Sequence, residues 1–199
     1  METADTIREF WFGTQSEDRL VAEEKSALWW RKDAQTDEQI RQRFEELVRS
    51  APKGALDSWL STAGGRLASI LLTDQFPRNM FRNTPESFAY DPLALAWCKA
   101  GLREKMDQDL RPIERVFFYL PLEHSESLQD QQMSVSLFQS LLDVVAPAAK
   151  PTFEGFLDFA VRHRDIIARF GRFPHRNRIL GRPSSDEELA FLQEKGSSF

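Results

Sequence analysis

The chain has 199 residues, 26 Lys and Arg against 31 Asp and Glu, a net charge of -5 and a hydrophobic fraction of 41%. That balance supports a packed globule and excludes a disordered chain, and its acidity argues against non-specific nucleic-acid binding, which needs a basic footprint. A single cysteine, Cys98, excludes an intramolecular disulfide, and no run approaches the roughly 18 apolar residues of a membrane span.

The first residues, Met1-Glu2-Thr3-Ala4-Asp5, are acidic and lack the apolar stretch of a signal peptide. Together with the lone cysteine this predicts a reducing, cytoplasmic setting. Helical periodicity dominates and strand-like alternation is nearly absent. A short helix is predicted over Thr3 to Trp11 and a second over Asp18 to Trp30. A third starts at Thr36, where Thr36-Asp37-Glu38-Gln39 reads as a capping box, with Ile40, Phe44, Leu47 and Val48 on one face. Thr62 or Ala63 opens the next, and Pro77 should end or bend it. Asp91-Pro92 reads as an N-cap followed by proline at the first helical position, with a helix to about Met106. Further helices are predicted from Arg111-Pro112 to just before Pro121, from Ser125 to Val145 and from Thr152 to Phe170, the last closed by Gly171. Ser184 and Ser185, with Glu187 and Glu188, cap a final short helix. Trp11, Trp29 and Trp30 are expected in the core.

Short connections between successive helices predict antiparallel neighbours. No Gly/Ser linker divides the chain. The expectation is therefore one all-α domain over 1–199, an antiparallel helical-hairpin array of about eight to ten helices.

Three polar clusters interrupt apolar faces. In the first, Leu67, Ile70, Leu71, Asp74 and Arg78 share a helical face, so Asp74 sits where the core should be, flanked by Gln75 and Asn79. A buried carboxylate is costly unless paired, and Arg78 is four residues away. The pair reads either as an internal anchor or as a carboxylate poised to act as base or ligand anchor. In the second, Glu123, His124, Ser125 and Glu126 precede Leu128, Gln131 and Val135. His124 is placed at a helix N-terminus, whose positive dipole end disfavours protonation and leaves an imidazole able to move protons. Helix capping explains Ser125 and Glu126 but not His124 or Gln131. In the third, Phe153, Phe156, Ala160, His163, Ile167 and Phe170 share a face and turn His163 inward. It leads into a loop with Arg172, His175, Arg176, Asn177, Arg178 and Arg182, shaped by Gly171, Pro174 and Gly181. Such a loop suits a carboxylate or phosphate, or else its arginines tie it to acidic helices.

No metal ligands are assigned. There are three histidines and no tight His-x-x-x-His or His-Glu-x-x-His spacing. Gly-x-Ser-x-Gly and the Walker and Rossmann glycine patterns are absent, and no cofactor is expected.

Asp74-Gln75-Phe76-Pro77-Arg78-Asn79, Pro121-Leu122-Glu123-His124-Ser125-Glu126 and Gly171-Arg172-Phe173-Pro174-His175-Arg176-Asn177, followed by Leu180-Gly181-Arg182 and preceded by Ile7-Arg8-Glu9-Phe10-Trp11-Phe12-Gly13, resemble the signature of a bacterial family, domain of unknown function 924. The resemblance spans nearly the whole chain. It implies an all-helical, tetratricopeptide-like fold and supplies no activity and no catalytic residue.

The leading expectation is an interior polar pocket for a small anionic molecule. Asp74, His124 and His163 would be its acid–base groups. Gln75, Arg78, Asn79, Glu123, Gln131, Arg172, His175, Arg176 and Asn177 would bind the ligand. The alternatives are a protein- or peptide-binding helical module and a purely structural polar network. Whether the protein is an enzyme is left open, as is its oligomeric state. No nucleic-acid or membrane partner is expected.

Overall fold

The structure is a computed structural model and describes residues 2–197. It is all-helical, with no strand among the described residues. Helix α1 (Ala4–Phe12) is capped by Thr3 and α2 spans Asp18–Trp30. Helix α3 (Ala34–Ser50) begins two residues before the predicted Thr36, because the Asp33 carboxylate reaches the Thr36 N–H at 2.7 Å and serves as the cap. Its buried stripe is the one expected, with Ile40, Phe44 and Val48 inward.

The centre of the molecule is α4 (Ala63–Ile70), capped by Thr62. It runs into a π-helical turn, Leu71–Gln75, and then α5 (Phe76–Met80). Every residue from Gly65 to Pro77 is buried. Pro77 was expected to end or bend the helix. The chain instead widens by one residue just before it, with the Phe76 N–H donating to the Leu71 carbonyl, five residues back. Buried hydroxyls on this segment are satisfied by the preceding turn: Ser69 donates to Gly65 O at 3.0 Å and Thr73 to Ser69 O at 2.8 Å.

Helix α6 spans Asp91–Arg103. Asp91 is its first helical residue rather than its cap, and its carboxylate is engaged elsewhere. Helix α7 (Pro112–Glu123) contains Pro121 instead of stopping before it. All of Val116 to Glu123 is buried, and tertiary packing outweighs the proline's local cost. Helix α8 (Leu128–Val144) starts three residues later than predicted, with Ser127 at the cap position. Helix α9 (Lys150–Phe170) ends at Gly171, whose φ of +68° is the left-handed conformation a helix C-terminus favours. Ser185 and Glu188 form the capping box of α10 (Asp186–Phe191).

Helices α7, α8 and α9 pack on one another in succession, α8 against α9 most extensively. The main core joins α1 to α9 and holds a chain of rings: Phe10–Phe44, Phe44–Phe76, Trp11–Phe76 and Trp11–Phe117 lie 4.8–5.6 Å apart. Trp11 and Trp29 are in it as expected. Trp30 is 51% exposed, because α2 turns it toward the surface. A second, small core of Ile166, Ile167 and Phe173, with Phe170 and Phe191 against it, lies under the C-terminal segment.

Candidate functional site

The polar residues meet where the small core adjoins the large one. Asp74 enters from the π turn and has no solvent exposure. Its Oδ1 lies 2.7 Å from His124 Nδ1, its Oδ2 accepts from Gln75 Nε2 at 2.6 Å, and Arg78 donates to its main-chain carbonyl with a guanidinium nitrogen 3.6 Å from the carboxylate. Burial alone would raise the Asp74 pKa, but His124, the Arg78 charge and these hydrogen bonds outweigh it and hold the carboxyl well below the usual range.

His124 is the C-cap of α7, not the first residue of α8. The helix dipole therefore acts in the direction opposite to the predicted one: a C-terminus favours the imidazolium. The His124 pKa is nonetheless lowered, by burial and by the Arg78 charge, against the pull of Asp74. An ionised Asp74 beside a neutral imidazole fixes the tautomer: Nδ1–H donates to the carboxylate, and Nε2 is the basic nitrogen.

Beside this pair, Glu123 Oε1 lies 3.1 Å from His163 Nδ1, which also contacts the Phe159 carbonyl at 2.8 Å. Burial and the nearby Asp74 charge push the Glu123 carboxyl up to about 8. Burial, with the positive charge of neighbouring groups, pushes the His163 imidazole down to about 3. At neutral pH the contact joins two uncharged groups. Gln131 secures the chain here, its Nε2 donating to the carbonyls of Glu123 at 2.6 Å and Ser125 at 2.8 Å. The His124 and His163 rings are 6.3 Å apart.

The guanidinium of Arg176 completes the cluster. It lies between the rings of Phe88 and Phe173, 4.7 and 4.5 Å from their centroids, and donates to the His124 carbonyl at 3.1 Å. Arg78 grips the Asp91 carboxylate with two nitrogens at 2.9 and 3.0 Å, and Arg176 faces the same carboxylate at 3.5 Å. His175 packs against Phe173, and burial with the Arg176 charge pushes it down to about 4.

The structure thus brings together Asp74, Gln75, Arg78, Glu123, His124, Gln131, His163, His175 and Arg176. It sets three predicted residues apart. Asn79 donates to Asp37 on α3 at 2.8 Å. Arg172 holds Glu188 through two bonds of 2.6 and 2.8 Å, and Asn177 donates to Ser184 and Glu188. These contacts fasten loops to helices. Asp91 and Phe88 belong to the cluster and were missed. The Asp91-Pro92 pair read as a cap, and the only available signal was an acid 13 residues after Arg78. Two surface hollows of about 640 and 550 Å³ lie elsewhere, along α3 and the segment after α5, both lined by Arg41 and Arg49, and no predicted site residue lines either.

Residues 7–196 match the model of a family described as "Bacterial protein of unknown function (DUF924)". No curated protein matches the sequence. The chain is similar to a solved structure of a protein of unknown function, ATU0120 from Agrobacterium tumefaciens, at 38% identity and a TM-score of 0.81, over 96% of this chain and 97% of that one. With the family match running over nearly the full length, the chain belongs to the bacterial family DUF924.

Proposed function

We propose that the cluster binds a small anionic molecule and performs acid–base chemistry on it. The observation that carries this reading is the fully buried Asp74 carboxylate 2.7 Å from His124 Nδ1. A carboxylate in that position orients the ring, fixes Nε2 as the proton acceptor and stabilises the imidazolium that forms when a proton arrives. Glu123, protonated at neutral pH, is a neighbouring proton donor, so two carboxyl groups are pushed in opposite directions by their surroundings. Arg78 and Arg176 supply the positive charge for the anion. Arg172 and Arg182, saturated by Glu188 and Glu126, support the loop that carries Arg176.

The test is a thermal-shift screen of carboxylate- and phosphate-bearing metabolites on the wild type, His124→Gln and Arg176→Ala. A true ligand at about a hundredfold excess over Kd raises the wild-type Tm by about 5 °C or more. Arg176→Ala should lose that shift. His124→Gln should keep binding and lose turnover of the ligand identified. A flat screen, combined with Asp74→Asn and His124→Gln proteins that unfold at far lower urea concentration than the wild type, would show a structural network instead.

A further inference from the structure

Arg176 differs from Arg172 and Arg182 of the same loop in how poorly it is satisfied. Arg182 makes two bonds to Glu126 at 2.6 and 2.9 Å, one to Asn177 Oδ1 at 3.0 Å and one to Phe173 O at 3.2 Å. Arg172 has three bonds between 2.6 and 2.8 Å. Arg176 is as buried as a core residue, at 7% exposure, yet it has a bond to the His124 carbonyl and a loose 3.5 Å approach to Asp91, and its Nε is buried with no acceptor. A buried donor left without an acceptor is destabilising, so this is not a completed structural contact. Burial and the Arg78 charge also lower its pKa to about 10.

Two guanidiniums therefore converge on one carboxylate, that of Asp91, with the ring of Phe88 beneath both of them. We infer that Asp91 is a resident stand-in for the ligand: its carboxylate occupies the Arg78–Arg176 clamp, and the oxyanion of the ligand, a carboxylate or a phosphate, takes its place. The inference rests on the proposed anion site and specifies how that site is filled.

Three observations support displacement rather than permanent pairing. Asp91 is the carboxylate able to leave. Its side chain is 19% exposed, whereas Asp74 has none and is tied to His124 and Gln75. Charge is conserved by the exchange: an entering anion replaces the charge that Asp91 carries into solvent, so neither the buried Arg176 guanidinium nor the partly buried Arg78 one is left uncompensated. The clamp also survives the exchange, because Arg176 is held by two rings and the His124 carbonyl, and Arg78 by the Asp74 carbonyl, independently of Asp91.

The experiment titrates orthophosphate and, separately, malonate into the wild type, Asp91→Asn and Asp91→Ser by calorimetry at constant ionic strength. It also follows the arginine Nε–H signals by NMR, with Arg176 assigned from an Arg176→Lys sample. Removing the resident carboxylate should tighten binding of at least one probe by about tenfold or more, and the Arg176 Nε–H signal of the wild type should move on titration. The probe with the larger gain identifies a phosphate or a carboxylate ligand. Equal or weaker binding in both Asp91 variants would overturn the inference, since Asp91 would then position the arginines. So would an unmoved Arg176 signal at saturating probe. Should Asp91→Asn fold poorly, Asp91→Ser and the wild-type NMR titration still decide. None of these outcomes depends on His124 chemistry, so a failed displacement is distinguishable from a failed acid–base site.

Discussion

Glu123 and His163 meet at 3.1 Å as a carboxyl pushed up to about 8 and an imidazole pushed down to about 3. Each makes folding depend on pH, and the two act in opposite directions. Glu123 has a folded pKa above its ordinary 4.5. The unfolded chain releases that proton first, so the stability it contributes is complete below about 4.5 and is lost as pH rises toward about 8. His163 has a folded pKa below its ordinary 6.5, so its contribution is complete above that value and is lost as pH falls toward about 3. Glu123→Gln keeps the shape and removes the titration. The two slopes cancel where their windows overlap, up to about pH 6.5, so the unfolding free energy of the wild type from urea titrations should fall between about pH 6.5 and pH 8, by on the order of 2 kcal/mol at most. The Gln variant should be much flatter over that range. An identical alkaline slope in both proteins would mean that Glu123 ionises normally and cannot serve as a proton donor near neutrality.

At the scale of the helices, the same physics explains what could be read in advance and what could not. Helix α3 packs with one face, so Ile40, Phe44 and Val48 declared themselves by spacing. The stretch from Gly65 to Pro77 and the second half of α7 are buried on all sides. Periodicity carries no boundary there, and the prolines misled: Pro121 lies inside α7, and Pro77 follows a π turn. The displaced end of α7 put His124 at the wrong helix terminus and reversed its dipole argument. The inward placement of Asp74, His124 and His163 was legible because each interrupts an apolar stripe. Their partners were not, since Asp74 and His124 are 50 residues apart and Asp91 looked like a cap. The tight burial of α4 has a mechanical signature. A Cβ at Gly65 would stand 2.2 Å from the Trp59 carbonyl oxygen, which is backbone and cannot step aside, whereas a Cβ at Gly155 in α9 meets nothing within 4 Å. Gly65→Ala should therefore cost about 2–4 kcal/mol. Gly155→Ala should gain about 0.5–1 kcal/mol from helix propensity. Urea denaturation of the two variants measures both, and a neutral Gly65→Ala would contradict the packing of α4 on the segment before it.

Across the whole molecule, the cluster lies on the seam between two apolar cores of unequal size. The small one, Ile166, Ile167 and Phe173, contributes little buried surface of its own. The segment after α9 is held to the body by Arg182 and the Phe173 N–H, at 2.6 and 2.8 Å from the Glu126 carboxylate, and is folded on itself by Arg172 on Glu188. That segment carries Arg176 and places Phe173 against His163, with ring centroids 5.5 Å apart. It should therefore open as a unit at lower cost than global unfolding, because few apolar contacts oppose it. Arg172 also holds the Glu188 carboxyl down to about 2, so this contact is intact above the ordinary 4.5 and weakens as pH falls toward 2. The double variant Arg172→Met with Arg182→Met removes both clamps and leaves the main core untouched. In hydrogen exchange read by mass spectrometry, amides of residues 171–191 should exchange about tenfold faster or more, corresponding to about 1.4 kcal/mol or more, while those of α4 keep wild-type protection. Anion binding should weaken in the same variant, because the loop that presents Arg176 is then ordered only part of the time. Uniform acceleration across the chain would instead make the C-terminal segment part of one cooperative unit with the main core, and the site would then have no independently moving wall.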